Sequence, residues 1–220
     1  MIGLRQKPLK DILAMLEPYE RILVVGCETC AAMSQAGGLR QAEVLKRALE
    51  LKFKLSGKEA SVDATSVLRQ CDLGIVKEGL AELVGDHDVI LSMACGAGVQ
   101  TVAEAFPDLP VLPACDTVMI GSHDREAGLI SEVCKACGNC ILHETGGICP
   151  LTRCAKGLLN GPCGGQAGGK CEVGGWTRDC AWVKIYERLK ALGRLDLFSK
   201  FRPPRDWSVG QSPREIKMTV

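Results

Sequence analysis

In the first half of the chain, short apolar runs alternate with segments whose apolar residues recur at helical spacing. Short runs rich in apolar residues predict buried strands at 22–25, 88–93 and 110–112, and a further strand is expected at 61–66. Apolar positions at helical spacing predict helices at 3–20, 37–53, 74–84 and 99–105. Short apolar strands that alternate with helices are typical of a parallel sheet covered by helices. We therefore predict an α/β fold in which residues 1–125 form a Rossmann-like parallel sheet.

Cysteines follow each predicted strand of this half. They are Cys27, Cys30, Cys71, Cys95 and Cys115. Because right-handed crossovers bring the C-terminal ends of parallel strands to one edge of the sheet, these thiols should lie close together. Ligands in open α/β sheets bind at that edge. The sequence thus predicts a thiol-lined site there.

The pattern changes after about Ile120, where the periodic apolar positions stop. Residues 131–180 hold eight cysteines and eleven glycines, and we expect no hydrophobic core of their own for them. Metal–thiolate bonds would then organise an irregular, cysteine-rich metal-cluster domain at 126–182. A helix at 181–192 and a tail complete the last part, 183–220. The tail is expected to be either disordered or an extended arm laid on a partner.

Composition and charge narrow the classes of function. The net charge of +1, the pI near 7.4 and the aromatic content of 4% disfavour a nucleic-acid surface. No apolar run approaches the ~20 residues of a membrane span, and no signal-peptide pattern begins the sequence. We therefore expect a cytoplasmic protein. In that reducing compartment, thirteen cysteines predict metal ligands rather than disulfides.

The C-terminal cysteines carry the most specific pattern. Cys134, Cys137 and Cys140 recur at two-residue intervals, which suits three corners of a 4Fe–4S cluster, as in bacterial ferredoxins. The ferredoxin pattern ends in a Cys-Pro dipeptide. Here Cys149 and Pro150 form such a dipeptide, but farther from the triplet than in ferredoxins. The array holds eight thiolates, enough for two clusters, and its other members are Cys149, Cys154, Cys163, Cys171 and Cys180. Spacing alone leaves the partition of those five open.

Other chemistries have weaker signals. A zinc site with four thiolates usually pairs two C-x2-C knuckles, and outside the triplet only Cys27 and Cys30 form such a pair. Zinc at one site stays an alternative. The turn at Gly96 and Gly98 lacks the complete fingerprint of a nucleotide-binding loop. No hydrolytic motif is present, and we predict no catalytic residues in this chain.

Several segments, in order, resemble a known family. They are Gly26–Cys30, Arg69–Cys71, Ala94–Gln100, Thr145–Pro150, Cys154–Gly165 and Cys180–Trp182. This arrangement is similar to the methylenetetrahydrofolate reductase C-terminal-like family, the small cysteine-rich iron–sulfur subunits of bacterial methylenetetrahydrofolate reductases. The resemblance extends from Gly3 to about Trp207, and it is most specific between Lys156 and Gly165.

The resemblance implies a partner and cofactors. Its members accompany a flavin subunit that carries FMN, binds folate and reduces methylene- to methyl-tetrahydrofolate in the acetyl-CoA pathway. This chain would then be a non-catalytic electron-transfer subunit with two or three 4Fe–4S clusters, loaded by ferredoxin or another electron carrier. A chain of 220 residues is too short for a (β/α)8 barrel beside its cysteine-rich half, so the folate chemistry is expected on the partner.

On this basis we expect three ligand sets. The N-terminal set is Cys27, Cys30, Cys71 and Cys95, with Cys115 as an alternative ligand. The two C-terminal sets are Cys134, Cys137, Cys140 and Cys180, and then Cys149, Cys154, Cys163 and Cys171. Glu28 departs from the small residue expected there, and its charge would lower the potential of a nearby cluster. Two rival functions are a structural zinc subunit that stabilises the reductase and a methyl-transfer accessory enzyme with a thiolate–zinc site.

Overall fold

The computed structural model describes residues 1–218, and these divide into two units, Met1–Met119 and a second that begins at Ile120. Thr219 and Val220, the end of the expected tail, lie outside the described residues. The three-part division at residues 125 and 182 stays a prediction.

The four predicted strands form the parallel sheet of the first unit. They are β2 (Arg21–Cys27), β3 (Ser61–Val67), β4 (Val89–Ser92) and β5 (Val111–Pro113), in the order β3-β2-β4-β5. All three pairings between neighbours are parallel, and β2 pairs with both β3 and β4. The predicted α/β fold with a parallel sheet is therefore confirmed.

Helices cover both faces of this sheet. They are α1 (Leu9–Met15), α2 (Cys30–Met33), α3 (Leu39–Ser56), α4 (Leu73–Leu80) and α5 (Gly96–Ala105). Ile22 and Val24 of β2 pack in one buried cluster with residues of α3, whereas Leu23 and Val25 pack in the other with residues of α4 and α5. A strand buried on both faces reads as a continuous apolar run, which is why the sequence predicted it well.

The predicted helix at 3–20 is wrong in its first part. Residues Ile2–Gln6 form a strand, β1, and α1 begins only after Pro8. Proline lacks the amide hydrogen that a helix interior requires, so it separates the two elements and stands at the N-cap of α1. Leu4 of β1 packs against the buried residues of the sheet instead of continuing a helical face.

Two further strands were not predicted. They are β6 (Cys115–Asp124) and β7 (Leu129–Cys134), and β1, β6 and β7 form a three-stranded sheet in the order β1-β6-β7. The β6–β7 pairing is antiparallel. Few residues of these strands are buried, and Val118 and Leu129 are exposed. Strands with so little burial have no regular apolar alternation, so no sequence pattern predicted them.

The second unit has a small hydrophobic core that α7 dominates. Its helices are α6 (Pro150–Arg153), α7 (Ala181–Ala191) and α8 (Leu195–Phe198). Trp182, Ile185 and Leu189 of α7 are fully buried and pack with residues such as Ile148 and Leu158. The sequence predicted no core within 131–180, and that segment indeed supplies only smaller contributors. It folds against a core that the following helix provides.

Arg202 is the polar counterpart of this core. Only 5% of the residue is exposed, and its guanidinium donates to the Glu144 carboxylate (2.8 Å) and to the carbonyls of Glu144, Leu159 and Leu197 (3.1–3.2 Å). Lys200 forms a second ion pair with Glu144. Asn160 exchanges two hydrogen bonds with the Arg202 backbone (2.7 and 2.8 Å). The buried charge thus has partners on several loops at once, as a buried ion pair requires.

One close backbone approach in the first unit gives a prediction about stability. A Cβ atom on Gly37 would lie 2.0 Å from the carbonyl oxygen of Met93, which no side-chain rotation can relieve. We expect Gly37→Ala to lower the free energy of unfolding by at least about 2 kcal/mol. Gly85→Ala is the matched control, because nothing lies within 4 Å of its Cβ position, and it should change the value by less than about 0.5 kcal/mol. Urea titrations followed by circular dichroism measure both, and equal stabilities for the two variants would contradict the prediction.

The Glu144 ion pairs give a prediction about pH. Hydrogen bonds first from Lys200 and then from Arg202 hold the pKa of Glu144 below its ordinary value of 4.5. The stability contributed by a carboxylate with a lowered pKa is present above the ordinary value and is lost as the pH falls through the folded value. We therefore expect acid to destabilise the second unit from about pH 4.5 downwards, and less steeply in Glu144→Gln. All three tryptophans lie in the second unit, so their fluorescence reports its unfolding. Identical slopes for the two proteins would exclude Glu144 as the cause.

Candidate metal-binding sites

The expected cysteines of the first unit stand at the C-terminal edge of the parallel sheet. Cys27 is the last residue of β2, and Cys30 is the first residue of α2. Cys71 lies in the turn that follows β3, and Cys95 is the N-cap of α5, just after β4. The parallel topology therefore places them where the sequence predicted a thiol-lined edge.

Cys71 has a raised pKa. Its pKa is raised above the ordinary value, first by partial desolvation of the sulfur and then by the negative charge of Cys95 and Cys27. The parallel topology places the turn after β3 at the same edge of the sheet as the ends of β2 and β4. Cys27 also makes a 3.5 Å contact from its sulfur to the Thr29 hydroxyl.

Gln70 holds that turn in place. Its side chain is fully buried and donates to the carbonyls of Val25 (2.9 Å) and Gly26 (3.0 Å) at the end of β2. Its amide oxygen accepts from the Ser92 hydroxyl at the end of β4 (2.6 Å). One buried amide thus bridges the two strand ends beside the cysteines, and it fixes the residue that precedes Cys71.

Cys115 differs from the other thiols of this unit. Its residue is 4% exposed, and the sulfur donates to the Ala36 carbonyl (3.4 Å). Burial first, with a smaller effect of the Asp116 charge, raises its pKa to about 12. A thiol in this state is a small buried hydrophobe, and ionising it to bind a metal would be costly.

Glu28 has a structural partner that the sequence did not reveal. Its carboxylate accepts a hydrogen bond from the backbone N–H of Leu39 (2.7 Å), the first residue of α3. A carboxylate at a helix N-terminus satisfies a free amide and interacts favourably with the helix dipole. Its negative charge is therefore partly offset before it acts on the nearby thiols.

The cysteine triplet of the second unit lies on a backbone loop of unusual conformation. Ala136, between Cys134 and Cys137, has a φ of 50°, in the left-handed region that alanine rarely adopts. In this conformation its backbone N–H donates to the sulfur of Cys134 (3.3 Å). Gly138 has a φ of 79°, and a side chain there would also meet the Val209 carbonyl. An amide aimed at a cysteine sulfur is typical of thiolate–metal sites.

Part of the C-terminal segment contacts this loop within its own unit, and the expectation of a disordered tail or an arm on a partner stays a prediction. Arg205 donates to the sulfur of Cys137 (3.2 Å) and to its carbonyl (3.5 Å). Arg214 donates to the carbonyl of Ala136 (2.8 Å). Arg205 and Arg214 of the C-terminal segment thus make polar contacts with their own unit. These contacts join residues that are distant in the sequence, so no periodic apolar pattern predicts them.

The other five cysteines flank the small helices and turns. Cys149 and Cys154 are the N-cap and C-cap of α6, and Cys180 is the buried N-cap of α7. Cys163 lies 3.7 Å from the carboxylate of Glu172, which also pairs with Lys156. The backbone N–H of Cys171 bonds the Arg178 carbonyl (2.8 Å). The ligand partition proposed from the sequence stays a prediction.

The donor set fits a thiolate-bound metal group, although it does not form a finished cage. All thirteen cysteines are free, and within residues 1–218 no group of three or more His, Cys, Asp and Glu side chains is arranged to hold a metal ion. The fit rests on donor chemistry and on one further observation. The Nε and Nη1 atoms of Arg205, beside the triplet, are buried and have no hydrogen-bond partner in the described part of the chain, and an anionic group there would satisfy them.

The fold and these thiols define a cysteine-rich α/β protein with candidate metal-binding loops in each of its units. Residues 112–208 match the family model described as "Methylene-tetrahydrofolate reductase C terminal", which confirms the expected family over those residues. No curated protein and no solved structure matches the chain. In residues 1–218 no helix is both long and apolar enough to cross a membrane.

Sequence reasoning found the cysteines and missed the residues that hold them. Gln70 stood in the motif beside Cys71, and its position directly before a candidate ligand was the available signal. Arg202 and Arg205 lie in a segment without periodicity, and their partners in the cysteine-rich segment are 42–68 residues away in the chain. No local pattern identifies such contacts.

The buried state of Cys115 predicts its reactivity. Raising the pKa from 9.0 to about 12 lowers the thiolate fraction at pH 8 by roughly 1000-fold, so alkylation by iodoacetamide should slow by at least that factor. Mass spectrometry of peptides from the native and the denatured chain measures the protection. A chelator treatment is the control, since protection by burial persists after metal is removed, whereas protection by a metal bond does not. Rapid native alkylation of Cys115 would show that the thiol is not held as described.

Proposed function

We propose that this protein is the iron–sulfur electron-transfer subunit of a methylenetetrahydrofolate reductase. It receives electrons from ferredoxin or another carrier and passes them to the FMN of a partner subunit, which reduces methylene- to methyl-tetrahydrofolate. The chain itself carries no catalytic residue for the folate reaction. Its place is in a reducing, cytoplasmic compartment, where free thiols persist as ligands.

The observation that carries this proposal is the cysteine triplet within the family-matched residues. Cys134, Cys137 and Cys140 have the two-residue spacing of 4Fe–4S ligands, and an amide and a guanidinium already face their sulfur atoms. Both kinds of donor stabilise negative charge on sulfur. A structural zinc site would also be bound by thiolates that accept hydrogen bonds, but it does not require three cysteines at this spacing.

The residues have distinct parts in this proposal. The cysteines of the three expected sets would hold two or three 4Fe–4S clusters, with zinc as the alternative occupant of one set. When bound, such a cluster accepts and releases one electron without a change in the protein's bonds. Gln70 fixes the turn of Cys71 at the edge of the sheet, and the loop of Ala136 orients an amide to Cys134. The chain thereby supplies position, burial and hydrogen bonds, and the redox chemistry belongs to the cofactor.

The proposal predicts the metal content of the full chain. Protein purified without oxygen should contain on the order of 8–12 iron atoms with matching acid-labile sulfide, the content of two or three 4Fe–4S clusters. It should be brown, and its visible absorption should bleach on reduction. Cys134→Ser and Cys137→Ser should each remove about four iron atoms, because each breaks one cluster. Cys115→Ser is the matched control, since a buried thiol outside the sites should leave iron unchanged.

The same preparation tests the alternatives. Stoichiometric zinc with negligible sulfide would overturn the electron-transfer function and support a structural zinc subunit. Iron with sulfide, together with reduction of the flavin in a co-purified reductase subunit, would support the function in full. Iron clusters that do not reduce that flavin would refute the stated direction of electron transfer.

A further inference from the structure

Arg205 occupies an unusual electrostatic position next to the cysteine triplet. Nη2 donates to the sulfur of Cys137 (3.2 Å), whereas the Nε and Nη1 atoms are buried and find no hydrogen-bond partner among residues 1–218. The guanidinium lies 5.4 Å from the ring centre of Trp207, which shields it on that side. Two buried guanidinium nitrogens without acceptors are rare, because their N–H groups lose hydration without a replacement hydrogen bond.

The neighbouring carboxylates do not supply the missing acceptor. Asp206 accepts instead from the backbone N–H (2.8 Å) and the hydroxyl (2.5 Å) of Ser208. Glu144 accepts from Lys200 and Arg202. The two carboxylates that line the same cavity as Arg205 are thus engaged by other donors.

Arg205 also lines a cavity. Its volume is about 290 Å³, and Cys140 and Arg205 both line it. This lies at the small end of the ~300–1000 Å³ typical of ligand sites. A triplet cysteine, a partly unsatisfied cation and an open volume therefore meet at one place.

We propose that Arg205 is a positioning residue for an anionic, thiolate-bound metal group held by Cys134, Cys137 and Cys140. Its free N–H groups donate to the sulfur atoms of that group and offset its negative charge, so the C-terminal segment completes the site. This inference rests on the proposed function for the presence of the group. It assigns to the segment after Arg202 a task within its own chain.

The experiment measures how fast metal leaves the full chain in the presence of a chelator. We expect Arg205→Met to lose metal about 10-fold faster than the wild type, as is usual when a residue that supports metal ligands is removed. Arg205→Lys keeps the charge and should recover most of the loss. Arg214→Met is the matched control, because Arg214 contacts the same loop through the Ala136 carbonyl and no sulfur, and it should behave as the wild type.

A second measurement separates this role from a merely structural one. In the metal-free chain Arg205 keeps its unpaired N–H groups, so Arg205→Met should be as stable as the wild type or more stable. In the loaded chain the same variant should be the less stable one. If iron is bound, its reduction potential should also fall in Arg205→Met, because a nearby cation favours the reduced, more negative state.

The outcomes distinguish the two proposals. Equal metal loss from the wild type and Arg205→Met would overturn this inference alone, and so would equal acceleration in Arg205→Met and Arg214→Met. A Cys137→Ser background should abolish the effect of Arg205→Met, and an undiminished effect there would count against it. A wild type that binds neither iron nor zinc would overturn the proposed function together with this inference.

Discussion

One buried guanidinium fixes the arrangement of the cysteine-rich unit. Arg202 bonds the carboxylate of Glu144 and carbonyls from separate loops, and it lies 5.6 Å from the ring centre of Trp182 in the hydrophobic core. A charge removed from water is tolerated only when its partners are all in place, so the loops have one arrangement that satisfies it. The small apolar core around α7 buries hydrophobic side chains, and the Arg202 guanidinium fixes the positions of the loops that it bonds. The cysteine loops take their positions from both.

The fold of the first unit followed from its sequence because its elements carry strong periods. Strands β2 and β4 are buried on both faces and form apolar runs. Helix α3 begins at Leu39, close to the predicted start at residue 37. The errors have physical causes. Pro8 divides a stretch that otherwise reads as one helix, and β6 and β7 are too exposed to alternate. A buried strand requires apolar residues at regular positions, whereas an exposed strand does not and is therefore hard to predict.

The sequence indicated candidate cysteine ligands, whose assignment to metal sites stays a prediction, and it did not indicate the residues around them. Parallel topology sufficed to place Cys71 near Cys27 and Cys95, and the spacing of the triplet singled out its loop. The residues that organise these thiols act across long sequence separations. Gln70 reaches a strand 45 residues earlier, and Arg205 reaches Cys137 across 68 residues. Such contacts depend on the finished fold, which a local pattern does not encode.

The contact between Arg205 and Cys137 has a consequence for biosynthesis. The ribosome makes the triplet 68 residues before the segment that covers it, and at ~5–20 residues per second this interval lasts about 3–14 s. During that time three thiols stand on a nascent chain with neither their amide geometry nor their cation complete. A metal donor that acted during synthesis would meet an open loop first and a covered one later. The order of synthesis thus leaves a brief window in which the loop is most accessible to a metal donor and most vulnerable to oxidation.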